Sequence, residues 1–275
     1  MPEFEDMDPP TLRRALDLVR QYTGITMTDG KRSMLQTRLR PRMRLLSIDS
    51  YGNYLRRLCE DERERQPFID VVTTHQTAFF RTPRVWQYVR EVFLPAWAQR
   101  NEGQSLRVWS AAASSGEEAC TVAICCEELR RQRPGFSYEV TATDIAAAVL
   151  EQARRGEYTG ASVAAFRASQ LVLFEQHNAA ESPDRFMLAA PVRKRFSFSV
   201  HNLLEACPWR DAFDLILLRN MLIYLQPDDV RTVLRKIAPA LREQGMLIVG
   251  ESESLTALDV PFQFVQPQIY RRTPE

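Results

Sequence analysis

The chain lacks the cysteine and histidine spacings of a metal site. Its five cysteines (Cys59, Cys120, Cys125, Cys126 and Cys207) form no CxxC pair, and only three scattered histidines accompany them. Nothing resembles a zinc ligand set, so no metal is expected. Cys125 and Cys126 are adjacent inside an apolar helical pattern and read as core filling in a reduced protein. Long hydrophobic runs are also missing, and none approaches the roughly 20 residues of a membrane helix. The segment MPEFEDMDPP has neither the basic nor the apolar region of a signal peptide. A cytoplasmic location without membrane insertion is the expectation. Charge of one sign is not in excess, with a formal net charge of +1. Bulk charge therefore gives no reason to expect nucleic acid or a membrane surface.

What is present is 45% hydrophobic residues over 275 positions, enough for a large domain with a smaller one. Residues 9–72 read as helices only. Leu12, Ala15, Leu16, Val19 and Tyr22 form one helical stripe, and Leu35, Leu39, Met43 and Leu46 a second. Pro41 interrupts the second stripe, and a kink there is expected because the stripe stays in register. Asp49 and Ser50 are candidate N-caps for a third helix over 51–59, and a fourth runs from about 62 to 72. From residue 84 the pattern alternates. A helix at 83–100 is followed by a strand at 106–112, a helix at 117–132, a strand at 138–143 and a helix at 146–155. Strands return at 195–200, 213–218 and 245–250, with a helix at about 227–242 that places Arg242 near its end. Two short strands at 262–272 suggest a hairpin at a sheet edge. The alternation predicts an α/β fold with a doubly wound parallel sheet. The boundary segment 73–84 contains TTHQTAFFRTP, too apolar and aromatic for a solvated tether.

Three strand ends carry the chemistry. VWSAAASSGEE (108–118) leaves a strand through small residues that permit a tight turn and close ligand approach. Glu117 and Glu118 then open a helix, where acids would repel a phosphate, so a dinucleotide is disfavoured. A cationic, phosphate-free cofactor such as S-adenosylmethionine fits better. EVTATD ends in Asp144, a candidate for ribose hydroxyls or, alternatively, a simple N-cap. FDLILLRNMLIYL is a buried strand ending in Arg219, Asn220 and Tyr224.

As a set, TTxxTxFFR, VWSAAASxGEE, the strand ending in Asp, the following Asn202-Leu203-Leu204, RNxxIY and the terminal GxSExL resemble the chemotaxis receptor methyltransferases of the CheR type. The similarity spans nearly the whole chain. It implies an all-α N-terminal domain (1–72) for receptor docking and a connecting segment (73–84) that contributes to the site. A methyltransferase domain (85–275) follows, with a small antiparallel subdomain inserted at about 158–196. It implies methyl transfer from S-adenosylmethionine to chemoreceptor glutamates, with S-adenosylhomocysteine as product. Carried over by position, the cofactor contacts are His75, Thr77, Arg81, Glu118, Asp144, Asn202, Leu203, Arg219 and Asn220. Arg81 and Tyr224 match the pair bordering the transferred methyl. The family usually has asparagine where this chain has His75, and often Pro-Tyr in place of Ala119-Cys120. These departures motivate an alternative, a non-catalytic module that binds S-adenosylmethionine or S-adenosylhomocysteine and signals by interaction.

A glutamate side chain, with an ordinary pKa of about 4.3, is already ionised at neutral pH, so no general base is needed. Arg81 is expected to position the substrate carboxylate and Tyr224 to donate a hydrogen bond or wall the methyl path. Lys31, Arg32, Arg38, Arg40, Arg42 and Arg44 crowd the second helix with no acid between Lys31 and Leu46. The resemblance implies that such a helix docks the acidic methylation region of receptor cytoplasmic helices, with Arg38, Arg42 and Arg44 as docking residues. The bland alternative is a solvated face. No aromatic interleaving supports nucleic-acid binding. Some family members bind a receptor C-terminal pentapeptide through a glycine-rich loop in the inserted subdomain. No glycine lies between Gly160 and Gly245, so that tether is not expected. A monomer is the expected state.

Overall fold

Apolar stripes at helical spacing organise the first quarter of the chain. In a computed structural model that describes residues 6–164, 166, 170, 173–176 and 185–273, four helices bury these stripes against one another. They are α1 (Pro9–Thr23), α2 (Arg32–Leu45), α3 (Tyr51–Glu60) and α4 (Arg65–Val72). Asp8 caps α1 by accepting from Thr11 N at 2.8 Å, and Ser50 caps α3 by accepting from Asn53 N. Leu12, Ala15 and Val19 of α1 meet Leu35, Leu39 and Met43 of α2 and Phe68 of α4 in a closed core. Pro41 lies inside α2, which runs through it as one helix.

Alternation of strand and helix then builds a sheet. α5 (Pro83–Tyr88), a π-helical turn (Val89–Phe93) and α6 (Leu94–Arg100) form one continuous helical stretch. They precede β1 (Ser105–Ser110), α7 (Glu117–Gln132), β2 (Ser137–Asp144) and α8 (Ala147–Arg155). A separate antiparallel sheet follows from β3 (Glu157–Thr159), β4 (Phe174–Gln176) and β5 (Arg185–Leu188), in the order β3-β5-β4. It falls in the region expected to hold the insertion, part of which lies outside the described residues. The chain returns through β6 (Phe196–Val200), β7 (Phe213–Leu218), β8 (Leu241–Val249), β9 (Phe262–Gln266) and β10 (Ile269–Arg272).

The large sheet has the order β6-β2-β1-β7-β8-β10-β9. The strands from β6 to β8 are parallel, and β10 and β9 add an antiparallel edge. The chain winds outward from β1 to β6, then crosses to β7 on the other side of β1. That crossing makes a topological switch point, and a crevice opens at the carboxyl ends of β1 and β7.

One helix is shorter than its pattern suggests. The helix expected at 227–242 ends at Ile237, a 3₁₀ turn takes Ala238–Ala240, and β8 begins at Leu241. Pro239 lies in that turn, and proline cannot continue the hydrogen-bond ladder of a helix. Arg242 consequently sits on β8, where it pairs with Asp214 at 3.1 Å instead of completing a helix end.

Candidate active site

Strand β1 hands the chain to a turn in which Ser114 (φ 51°) and Gly116 (φ 96°) are both left-handed. A Cβ on Gly116 would meet Ala153 Cβ and the Tyr158 hydroxyl at 2.9 Å, so both space and conformation call for glycine. The turn delivers Glu117 and Glu118 to the start of α7, where they separate. The Ser115 hydroxyl donates to Glu117 at 2.7 Å. Glu118 points inward and accepts from Ser110 Oγ at 2.8 Å and from Arg219 Nη1 at 3.2 Å. Burial pushes the Glu118 carboxyl above its usual range, against the pull of Arg219 and Ser110.

Asp144 closes β2 and accepts two amides, Ser114 N at 2.9 Å and Ala146 N at 3.0 Å. It therefore fastens the β1 turn and the approach to α8 while also lining the cavity. Burial raises its pKa, opposed by those amides.

β7 is buried along its whole length and leads at its carboxyl end into Arg219 and Asn220. Arg219 Nη2 donates to the Arg81 carbonyl at 2.8 Å, and the guanidinium lies 5.5 Å from the Trp86 ring centroid. Arg219 thus ties β7 to α7 and to the connecting segment. Asn220 follows in a left-handed conformation (φ 58°), tolerated by asparagine better than by most residues.

The connecting segment is anchored at both ends. The Thr73 hydroxyl donates to Ile69 O at 2.7 Å, so its 2.8 Å contact with His75 makes Nε2 the donor. Burial lowers the His75 pKa, against the attraction of Asp144. Phe79 and Phe80 are packing residues. Phe79 meets Tyr158 and Phe166 edge-on at 4.8 Å, and Phe80 meets Phe166 at 5.6 Å. Arg81 follows, exposed, with Nη1 donating to Gln76 O at 3.1 Å.

One cavity gathers His75, Thr77, Arg81, Glu118, Asp144, Asn202, Leu203, Arg219, Asn220 and Tyr224. Asn202 is braced by donating to Tyr22 O and accepting from Leu204 N. The residues between α1 and α2 complete the wall, through Ile25, Thr26, Met27 and Lys31. Thr26 N donates to Tyr224 O at 2.9 Å across the two domains. No motif marks this wall in the sequence. The local hint is Gly24, the left-handed C-cap of α1. His201 also lines the cavity without belonging to any motif of the sequence.

The three residues expected to dock a receptor differ in their surroundings. Arg42 is gripped by the buried Glu64 through two bonds of 2.8 and 2.7 Å, and Tyr54 donates to the same carboxylate. Arg38 donates to the carbonyls of Val72 and Thr73 and to the Thr74 hydroxyl. Both belong to the internal frame because the carboxyl end of α4 and the turn before it offer buried acceptors. Of the three, Arg44 lies exposed.

The cavity's chemistry suits a polar ligand. Thr26 Oγ1, Ser114 Oγ, His201 Nε2 and Arg219 Nε are buried atoms of lining residues with no protein partner. Two acids, Glu118 and Asp144, line it as well. A doubly wound sheet with such a pocket at its switch point, fronted by acids rather than by a phosphate cradle, defines an S-adenosylmethionine-dependent methyltransferase. The model of the CheR methyltransferase all-alpha domain matches residues 10–73, and that of the CheR methyltransferase S-adenosylmethionine-binding domain matches residues 75–271. The chain belongs to the CheR methyltransferase family. It is 34% identical to the chemotaxis protein methyltransferase of Salmonella typhimurium, over 94% of this chain and 88% of the relative. It is 32% identical to that of Escherichia coli over 94% and 89%, and 31% identical to chemotaxis protein methyltransferase 1 of Vibrio cholerae over 88% and 88%.

Proposed function

We propose that this chain transfers a methyl group from S-adenosylmethionine to glutamate side chains of a chemoreceptor, forming glutamate methyl esters. The observation that carries the reading is the meeting of Arg81, Tyr224 and the buried Glu118–Arg219 pair in one cavity of a CheR-family chain. Glu118, Asp144, Asn202, Leu203, Arg219 and Asn220 would hold the cofactor, which supplies a methyl activated on a sulfonium. Residues 1–72 serve as the docking domain, 73–84 as a site segment and 85–275 as the methyltransferase domain.

The substrate carboxylate is ionised at neutral pH and acts without a base. The chain's own contribution is therefore alignment and exclusion of water, which can be worth about 7–11 kcal/mol. Arg81 orients the carboxylate at the mouth, and Tyr224 walls the methyl path. Arg44 contributes to docking of acidic receptor helices, while Arg38 and Arg42 act only through the frame they brace. No pentapeptide tether takes part.

Incubation with labelled S-adenosylmethionine and receptor cytoplasmic fragments will give base-labile label on the receptor. Arg81→Ala will lose turnover to a far greater extent than it loses S-adenosylhomocysteine binding. Absence of label with every receptor fragment tried would overturn the reading.

A further inference from the structure

Glu253 lies outside the cavity, yet it holds three backbone amides at the site's edge. Its Oε2 accepts from Gly250 N at 2.5 Å and Asn220 N at 2.8 Å, and its Oε1 accepts from Ile223 N at 3.3 Å. The side chain is 6% exposed. Asn220 and Ile223 belong to the loop after β7, which also carries Arg219 and Tyr224. Asn220 holds its left-handed conformation with its amide fixed on this carboxylate. The geometry is supported from the β8 side as well. A Cβ on Gly250 would meet Glu253 Oε2 at 2.6 Å and both nitrogens of Asn220 at 2.8 Å, so glycine there lets the carboxylate and the loop approach. Glu253 N donates back to Gly250 O at 3.1 Å, which folds 250–253 into a tight turn aiming the side chain at β7.

We propose that Glu253 is a positioning residue for the methyl-transfer site, acting as an anionic clasp on the 219–224 loop. Its contacts in the structure are main-chain amides, so its effect on cofactor and substrate passes through Asn220 and Tyr224. A carboxylate suits this place because all three neighbours are donors. A glutamine offers one acceptor oxygen and brings an NH₂ against an amide. The inference rests on reading Asn220 and Tyr224 as part of the cofactor side of the cavity.

The test compares wild type, Glu253→Gln and Glu253→Asp by calorimetric titration with S-adenosylhomocysteine and by steady-state methylation of receptor fragments. Glu253→Gln is expected to weaken S-adenosylhomocysteine binding by about tenfold or more, the scale of a lost charge-assisted hydrogen bond. It should raise KM for S-adenosylmethionine while leaving KM for the receptor fragment within about twofold, with Glu253→Asp intermediate. A general loss of folding would shift both KM values and the far-ultraviolet dichroism. Folded Glu253→Gln with wild-type S-adenosylhomocysteine affinity would overturn the clasp. Failure of the wild type itself to bind S-adenosylhomocysteine would instead overturn the functional reading beneath it.

Discussion

His75 shows how one side chain can set a condition of use. Its imidazole is half-buried beside Thr73, and desolvation dominates to lower its pKa, with Asp144 and Asp70 favouring its charge and Arg38 disfavouring it. With the folded value below the ordinary 6.5, its contribution to stability is complete above pH 6.5 and is lost as pH falls toward the folded value. Asp144, with a raised value, runs the other way, its contribution fading as pH rises. The difference between wild type and His75→Asn isolates the imidazole. A protonated His75 also repels a sulfonium. Titration at several pH values is therefore expected to show wild-type affinity for S-adenosylmethionine falling as acidification reaches the lowered His75 value, beneath the ordinary imidazole range, with a flatter profile in His75→Asn. Parallel profiles would contradict this. Glu118 and Asp144 were legible at this scale because acids after a small-residue turn argue against a bound phosphate and an acid closing an apolar strand suits ribose hydroxyls. Glu253 was visible only as part of a motif, because its partners are backbone amides that leave no trace in residue identity.

Among elements, α2 is the instructive case, since its basic residues look alike in sequence and differ in duty. Removing Arg42 strands the buried carboxylate of Glu64. Arg42→Ala is expected to lower unfolding free energy by about 2–3 kcal/mol, below the fully buried case because Arg42 keeps 22% exposure. Arg44→Ala should change stability by about 0.5 kcal/mol or less yet reduce receptor methylation. Chemical denaturation paired with methylation assays separates the two. Equal stability losses would show that the division of labour is wrong. Helix–strand alternation made β1, α7, β2 and β7 readable because parallel strands buried on both faces are nearly continuous apolar runs. The helix before β8 was overrun because amphipathic spacing continues past Pro239, and the π-helical turn at Val89–Phe93 has no period of its own in the pattern. The bracing of α2 escaped notice because Glu64 and Val72–Thr74, which hold Arg42 and Arg38, lie more than twenty residues away in sequence.

For the whole molecule, the two domains share one cavity, and Gly24 sits at their seam. It combines a left-handed φ of 74° with a Cβ position only 2.4 Å from a Leu204 methyl and 3.2 Å from one on Leu225. Gly24→Ala is expected to cost about 1–3 kcal/mol through strain and crowding. It should also weaken S-adenosylhomocysteine binding, because Thr26, bonded to Tyr224, shifts with it. Thermal unfolding and calorimetry check both effects, and a destabilised variant with unaltered affinity would show that the seam is passive. Asn202-Leu203-Leu204 and the segment ending in Tyr224 read as motifs of the cofactor site with no partner in the helical domain, so the seam could not be seen before folding brought Tyr22 to Asn202 and Thr26 to Tyr224.

The bond from Thr26 to Tyr224 has a practical corollary for anyone building chimaeras. A head taken from one relative and grafted onto the catalytic body of another inherits half of a jointly machined socket. Swaps that exchange 1–73 alone should yield poorer catalysts than swaps that carry the matching 201–204 and 221–225 stretches along.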